Sequence, residues 1–103
     1  FRSATAELGL EDLRSLAEEI PTTQLVAAEV LDARRDLVDL LVTTGLASSK
    51  SDARRTIAQG GIYLNDVAVP EARAIETGDL LHGSFLMLRR GKRRRHLVEV
   101  VDR

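Results

Sequence analysis

The sequence predicts a single α+β domain in which two short packed helices are followed by a small antiparallel sheet, with an N-terminal linker helix before them. Its 103 residues are enough for one modest hydrophobic core. Apolar residues between positions 35 and 60 recur at helical spacing. After Gly61 the apolar period changes to two, which is typical of strands.

The N-terminal third is predicted to be a linker. Leu8, Leu13 and Ile20 belong to a roughly helical apolar pattern across residues 1–20, and Pro21 ends that pattern. The following apolar residues, 25–31, have no clear period, so we interpret them as linker too. We therefore assign 1–33 to a partly ordered linker from a preceding helical domain and 34–103 to the domain itself. Because the chain begins with phenylalanine, we expect it to be part of a longer protein.

Two helices are predicted before the sheet. The first covers residues 35–44, with leucines on one face, and ends at Gly45. The second begins after Ser49, whose hydroxyl suits an N-cap, and Asp52 stands three residues later in a capping-box-like position. The Gly60–Gly61 pair ends this helix.

The sheet is predicted from two hairpins. Asn65 and Asp66 form the first turn, because these residue types tolerate the left-handed backbone of tight hairpin turns. The second hairpin has strands over residues 79–90 and 96–101, joined by a basic turn around Gly91.

Charge is distributed unevenly along the chain, although the formal net charge is only −1. Residues 1–49 hold four basic and nine acidic side chains, whereas residues 50–103 hold eleven basic and seven acidic ones. This asymmetry indicates a polyanionic partner for the basic half, and the alternative is a solvated surface with uneven charge.

Two basic clusters lie in the basic half. Lys50 and Arg54 share one face of the second helix, near its N-terminus, where the helix dipole also favours anions. The other cluster places six cations within seven residues at the turn of the second hairpin: Arg89, Arg90, Lys92, Arg93, Arg94 and Arg95. Their mutual repulsion would be relieved by a phosphate backbone, so the two clusters together indicate nucleic acid.

Catalysis and cofactor binding have little support in the sequence. Residues 48–51, SSKS, are similar to the nucleotide-binding KMSKS loop of class I aminoacyl-tRNA synthetases, but neither its first lysine nor a nucleotide-binding fold accompanies them. Asp79, His82 and Ser84 lack the surroundings of a catalytic triad. His82 and His96 lack further metal ligands at suitable spacing, and the chain has no cysteine. We predict no catalytic residue, metal or cofactor in this chain.

The aromatic residues narrow the type of nucleic acid. Phe1, Tyr63 and Phe85 are the only three in the sequence, and the last two lie in apolar strand patterns, which predicts that they belong to the core. Single-strand binders generally stack bases on more aromatic surface than this. A folded RNA or a duplex, contacted through its backbone and shape, fits better.

Two stretches carry a resemblance to a known family. LVDLLVTTGLASSKSDARRTIAQGGIYLND, residues 37–66, and GDLLHGSFLMLRRGKRRRHLVEVV, residues 78–101, closely resemble the C-terminal domain of bacterial tyrosyl-tRNA synthetases. That domain belongs to the RNA-binding superfamily named after small-subunit ribosomal protein S-four, which has the alpha-L RNA-binding motif. The resemblance implies that the parent protein is a tyrosine-tRNA ligase of the class I aminoacyl-tRNA synthetases. Its ATP and tyrosine would bind a catalytic domain absent from this chain, so the fragment alone would be inactive.

The resemblance further implies tyrosine tRNA as the partner, gripped at its variable arm and anticodon stem through backbone contacts. It implies a cytoplasmic parent with no membrane contact, homodimeric through its catalytic domain, and a monomeric fragment. Asp52 adds an acid beside the basic residues, and Asp66 stands where the superfamily often has glycine. The RNA-binding residues implied are Ser49, Lys50, Arg54, Arg55, Arg90, Lys92, Arg93, Arg94 and Arg95.

Two alternatives remain open at this point. The chain could be an S-four-like module of another RNA-modifying or ribosome-associated protein. It could also be a protein-interaction domain whose basic turn meets an acidic partner. A free-standing enzyme is the weakest option.

Overall fold

A computed structural model of the chain describes residues 8–32 and 35–101 and confirms the predicted α+β class. A 3₁₀ turn, Thr77–Asp79, lies between the third and fourth strands. The helices and strands are, in chain order, α1 (Leu10–Leu16), β1 (Thr22–Val26), α2 (Ala27–Val30), α3 (Leu37–Thr44), α4 (Lys50–Ala58), β2 (Ile62–Leu64), β3 (Val67–Ala68), β4 (Phe85–Arg90) and β5 (Arg94–Val101).

The sheet has five strands in the order β1-β5-β4-β2-β3. The pairs β2 with β3, β2 with β4, and β4 with β5 are antiparallel, as predicted. At the other edge β1 pairs in parallel with β5, from Thr22 opposite Leu97 to Val26 opposite Val101. The sheet is therefore mixed, whereas the sequence predicts a purely antiparallel one.

The interpretation of residues 25–31 as linker is wrong. Leu25 ends up buried on β1 and Val30 on α2, and both belong to the main hydrophobic core. Leu25 is the only buried residue of β1, so the strand is too short and too exposed to show an apolar period. Residues 33 and 34 lie outside the described residues, and the domain boundary predicted there stays a prediction.

Helices cover both faces of the sheet. Successive side chains of β4 point to opposite faces, so Leu86 and Leu88 enter the main core beneath α3 and α4. Phe85 and Met87 point to the other face, where they pack with Leu13 of α1 in a second cluster. Phe85 is only 1% exposed, which confirms its predicted place in the core.

Both hairpins form, but the second differs in its bounds. Asn65 and Asp66 have φ angles of +51° and +68°, as the prediction of a tight left-handed turn requires. The strand predicted from residue 79 begins only at Phe85, because His82 and Gly83 also have positive φ angles and turn the chain first. The predicted helix over residues 1–20 is observed as α1 alone, and residues 1–7 lie outside the described part of the chain.

Replacing Leu13 by alanine tests the packing of α1. Leu13 is fully buried between α1 and the sheet, so Leu13→Ala should lower the free energy of unfolding by about 2–5 kcal/mol. Urea denaturation followed by circular dichroism measures this change. Arg14→Ala, at an exposed site of the same helix, is the control and should change the free energy by less than about 0.5 kcal/mol. Equal effects of the two substitutions would contradict the packing of α1.

Candidate nucleic-acid interface

The start of α4 is capped as predicted. The Ser49 hydroxyl accepts a hydrogen bond from the Asp52 N–H at 3.0 Å. The Asp52 carboxylate reaches back one residue further than in a capping box and accepts the Ser48 N–H at 3.0 Å. The first bond satisfies an amide group that a helix start leaves without a helical partner, and the second ties the residue before the cap to the first turn, so the serines of SSKS serve a cap.

The cations of α4 differ in whether they form ion pairs within the domain. The Lys50 ammonium lies 3.4 Å from a carboxylate oxygen of Asp39 on α3, and the Arg55 guanidinium lies 3.3 Å from one of Asp52. Arg54 is exposed and forms no ion pair with any residue in the described parts of the chain. Arg54 is therefore the α4 cation whose charge is most available to a phosphate.

Asp52 is joined to the sheet by Arg90. The two guanidinium nitrogens Nη1 and Nη2 of Arg90 donate to the two carboxylate oxygens at 2.8 and 3.0 Å. Arg90 Nη1 also donates to the Leu46 carbonyl at 2.8 Å. The Arg90 guanidinium, with the Ser48 N–H, holds the pKa of the Asp52 carboxyl well below its usual range.

This ion pair gives Arg90 a role that the sequence does not reveal. Its guanidinium connects β4, the α3–α4 connection and α4, and its side chain is 28% exposed. Because its charge is already compensated, Arg90 is placed to hold the two basic clusters in a set geometry. The RNA contact predicted for Arg90 stays a prediction.

The pleat of the sheet divides the basic turn between two faces. Arg90 pairs across the strands with Arg94, and Arg89 pairs with Arg95. Since cross-strand partners share a face, Arg90 and Arg94 lie on the face of α3 and α4, and the other pair lies on the opposite face. The six cations are therefore not one continuous patch.

The turn and the start of β5 hold four consecutive exposed cations. Gly91 opens the turn with a φ angle of +68°, and the exposed Lys92 and Arg93 follow it. Arg94 donates to the Gly45 carbonyl at 3.2 Å, which places its positive charge at the C-terminal end of α3. Arg95 is exposed and, like Lys92 and Arg93, has no ion pair within the described residues.

A groove of about 370 Å³ separates the end of α3 from the start of β5. Its lining contains no acidic residue, and Pro21 contributes to the wall beside β1. His96 bonds through Nε2 to the Thr23 hydroxyl at 2.6 Å, and burial lowers the pKa of its imidazole. The groove is thus a basic concavity, lined by Pro21, Thr44, Gly45, Leu46, Arg93, Arg94, Arg95 and His96.

Tyr63 lies outside the core, so its predicted burial is wrong. It is the middle residue of β2, between the buried Ile62 and Leu64, and it points to the opposite face of the sheet. There the Arg89 guanidinium carbon lies 3.9 Å from the centre of the Tyr63 ring. An alternating pattern places a side chain on one face of a sheet, but it does not show whether a helix covers that place.

Two of the three residues weighed for catalysis, Asp79 and His82, have structural partners. Asp79 forms a bidentate ion pair with Arg73 at 2.8 and 2.9 Å, and His82 Nε2 donates to the Leu8 carbonyl at 2.8 Å. Within residues 8–32 and 35–101, no group of three His, Asp or Glu side chains is placed to hold a metal ion. No helix in those ranges combines the length and apolar character needed to cross a membrane.

Comparison with known proteins gives a consistent result. Residues 12–98 match the family model described as tyrosine–tRNA ligase SYY-like C-terminal domain. The chain is 52% identical over 84 residues to a tyrosine–tRNA ligase of Opitutus terrae, an alignment that covers 81% of this chain and 20% of that protein. It is 36% identical over 102 residues to that of Roseiflexus castenholzii, which covers 98% and 24%, respectively. A tyrosine–tRNA ligase of Streptomyces griseus is 47% identical over 96 residues, covering 92% and 21%. The chain spans about a fifth to a quarter of the length of these relatives.

Replacing Asp52 by asparagine tests the Asp52–Arg90 ion pair. Because the pKa of Asp52 is lowered in the folded protein, its contribution to stability is present above the pKa of about 3.9 in the unfolded chain. That contribution is lost as the pH falls toward the folded-state pKa. Asp52→Asn should therefore unfold at a lower urea concentration at pH 7, and the difference from the parent should shrink below about pH 4. A difference independent of pH would contradict this role.

Proposed function

Since this chain belongs to the family of tyrosine–tRNA ligase C-terminal domains, we propose that it is the tRNA-binding domain of such a ligase. The observation that carries the proposal is a set of exposed cations without ion-pair partners in the described residues, on α4 and at the turn before β5. These cations are Arg54 on α4, Lys92 and Arg93 in the turn, and Arg95 at the start of β5. The partner is tyrosine tRNA, held at its variable arm and anticodon stem.

The proposed mode of binding at these cations is contact with phosphates rather than base reading. Each of the four unpaired cations would neutralise one phosphate. The logarithm of the association constant should then fall as the logarithm of the salt concentration rises, with a slope of roughly −3 to −4. Ser49, Lys50, Arg55 and Arg94 lie beside these cations and add weaker contacts, since their polar groups are already bonded within the domain.

Exposed acids direct the RNA toward this surface. Glu11 and Asp12 on α1, and Glu18 and Glu19 just after it, are exposed. These acids belong to the N-terminal part of the chain, which carries most of its excess negative charge. Because α1 packs over the Phe85 end of β4, repulsion from these acids and attraction to the turn favour an approach at the opposite end of that strand.

The remaining parts of the proposal concern the parent protein. It joins tyrosine to its tRNA with ATP, in a catalytic domain outside this chain, and acts as a cytoplasmic homodimer. The fragment itself is a catalytically inactive monomer. Contacts made here would use binding energy remote from the reaction to place the acceptor end of the tRNA correctly.

Shortening the variable arm tests the proposed partner. The fragment should bind a tyrosine tRNA transcript in a salt-sensitive way, and it should bind the same transcript with a shortened arm more weakly. Fluorescence anisotropy with labelled tRNA across a salt series measures both affinities. Equal affinity for both transcripts would indicate a general RNA-binding module, and no binding at low salt would contradict the proposed function.

Arg54→Ala tests the role of α4. Losing one phosphate contact should weaken tRNA binding at low salt and reduce the magnitude of the salt slope by about 0.7–0.9. Arg14→Ala, which removes an exposed arginine from α1, is the matched control and should leave affinity and slope unchanged. An Arg54→Ala variant that binds as the parent does would exclude Arg54 from the interface.

A further inference from the structure

A row of four side-chain positions crosses the sheet on the face opposite α3 and α4. Ala68 of β3 pairs with Tyr63 of β2, Tyr63 pairs with Arg89 of β4, and Arg89 pairs with Arg95 of β5. The neighbouring pair on the same face, Met87 with Leu97, is buried beneath α1. The row therefore begins where the apolar cluster under α1 ends.

The central pair of this row is held in a set geometry. The Arg89 guanidinium lies over the Tyr63 ring at 3.9 Å, within the distance of a cation–π interaction. Arg89 Nη1 donates to the Gly91 carbonyl at 2.6 Å, and Nε lies 3.6 Å from an Asp66 carboxylate oxygen. Its side chain is 20% exposed, so it is fixed in place and still reaches solvent.

The two ends of the row are open. Ala68 is exposed and has too small a side chain to cover the edge of the Tyr63 ring. Arg95 is exposed and has no ion pair within residues 8–32 and 35–101. The row thus combines a flat platform, an arginine stacked on a tyrosine, with a positive charge beside it.

We propose that the Tyr63–Arg89–Arg95 row is a second RNA-binding surface that takes one unpaired nucleotide. The base stacks on the Arg89–Tyr63 platform, and the phosphate of that nucleotide pairs with Arg95. This inference rests on the proposed function, because it requires a bound RNA. It differs from that function in chemistry, since a base face, and not only the backbone, is recognised.

The chemistry of the row favours an unpaired nucleotide over a duplex. Bases inside a duplex present only their edges, whereas an unpaired base can place its face on an aromatic ring or a guanidinium plane. Charge complementarity favours RNA as the occupant, because Arg95 has no ion pair within the described residues, while the charge of Arg89 is offset by Asp66. The row is also close to the turn, because Arg89 and Arg95 lie on the two strands that Lys92 and Arg93 connect. One RNA crossing the turn can therefore contact α4 and this row together.

The chain provides its own reporter for this surface. Tyr63 is the only tyrosine, and there is no tryptophan. With carbon-13-labelled tyrosine, the ring gives signals from this one site in an NMR spectrum. Adding the tyrosine tRNA transcript should move the Tyr63 ring protons upfield, as the ring current of a stacked base requires.

Variants measure how much the row contributes. Tyr63→Leu should weaken binding of the transcript by roughly 5- to 100-fold, the range expected for losing one stacked base. Tyr63→Phe keeps the ring and should bind within about twofold of the parent if the ring itself makes the contact. Arg95→Ala should weaken binding and reduce the salt slope by about 0.7–0.9, with Arg14→Ala as the control. The amide spectrum of each variant verifies its fold.

The outcomes separate this inference from the proposed function. If the transcript binds and Arg54→Ala weakens it, but the Tyr63 signals stay in place and Tyr63→Leu binds as the parent does, the row is not a binding surface. The proposed function then stands. If the transcript does not bind the parent chain at low salt, both the proposed function and this inference are overturned.

Discussion

The ion pair between Asp52 and Arg90 is the interaction on which the arrangement of the basic surface depends. Asp52 lies in the first turn of α4, and Arg90 lies at the end of β4, so their two hydrogen bonds fix the helix against the sheet. The third bond of Arg90, to the Leu46 carbonyl, adds the α3–α4 connection. The pair adds to the apolar packing of Ala53 and Ile57 against the sheet, and so further restricts the shift of the α4 cations relative to those of the turn.

Asp52 is an acid inside a basic surface, and it both neutralises positive charge and holds cations in place. Asp52 compensates one charge, but it also receives the Arg55 guanidinium and closes the cap of α4. The turn uses two further anchors, the Gly45 carbonyl for Arg94 and the Tyr63 ring for Arg89. Fewer charges are then left for a polyanion, but the backbone segments that carry these remaining charges are held in place by the anchored neighbours.

Much of the fold can be predicted from local signals in the sequence. Caps and turns depend on residues within four positions of one another, which is why Ser49 and the Asn65–Asp66 turn are predicted correctly. Strand β1 was missed because its partner lies far along the chain, with Gln24 opposite Glu99, and because only Leu25 is buried. For the same reason the basic clusters can be predicted from the sequence, but the pairing of Arg90 with Asp52 and the half-buried position of Tyr63 outside the core cannot. Both depend on which elements meet in space.

The position of β1 at the edge of the sheet also affects the motions of the domain. An edge strand has a single neighbour, and short edge elements open locally at a lower free energy than the centre of a sheet. When β1 separates from β5, Pro21 leaves the wall of the basic groove and Thr23 releases His96. We therefore expect residues 21–26 to open locally, separately from global unfolding. RNA bound in the groove would stabilise the state in which β1 is paired with β5. Binding would therefore slow the exchange of the β1 amide hydrogens with solvent.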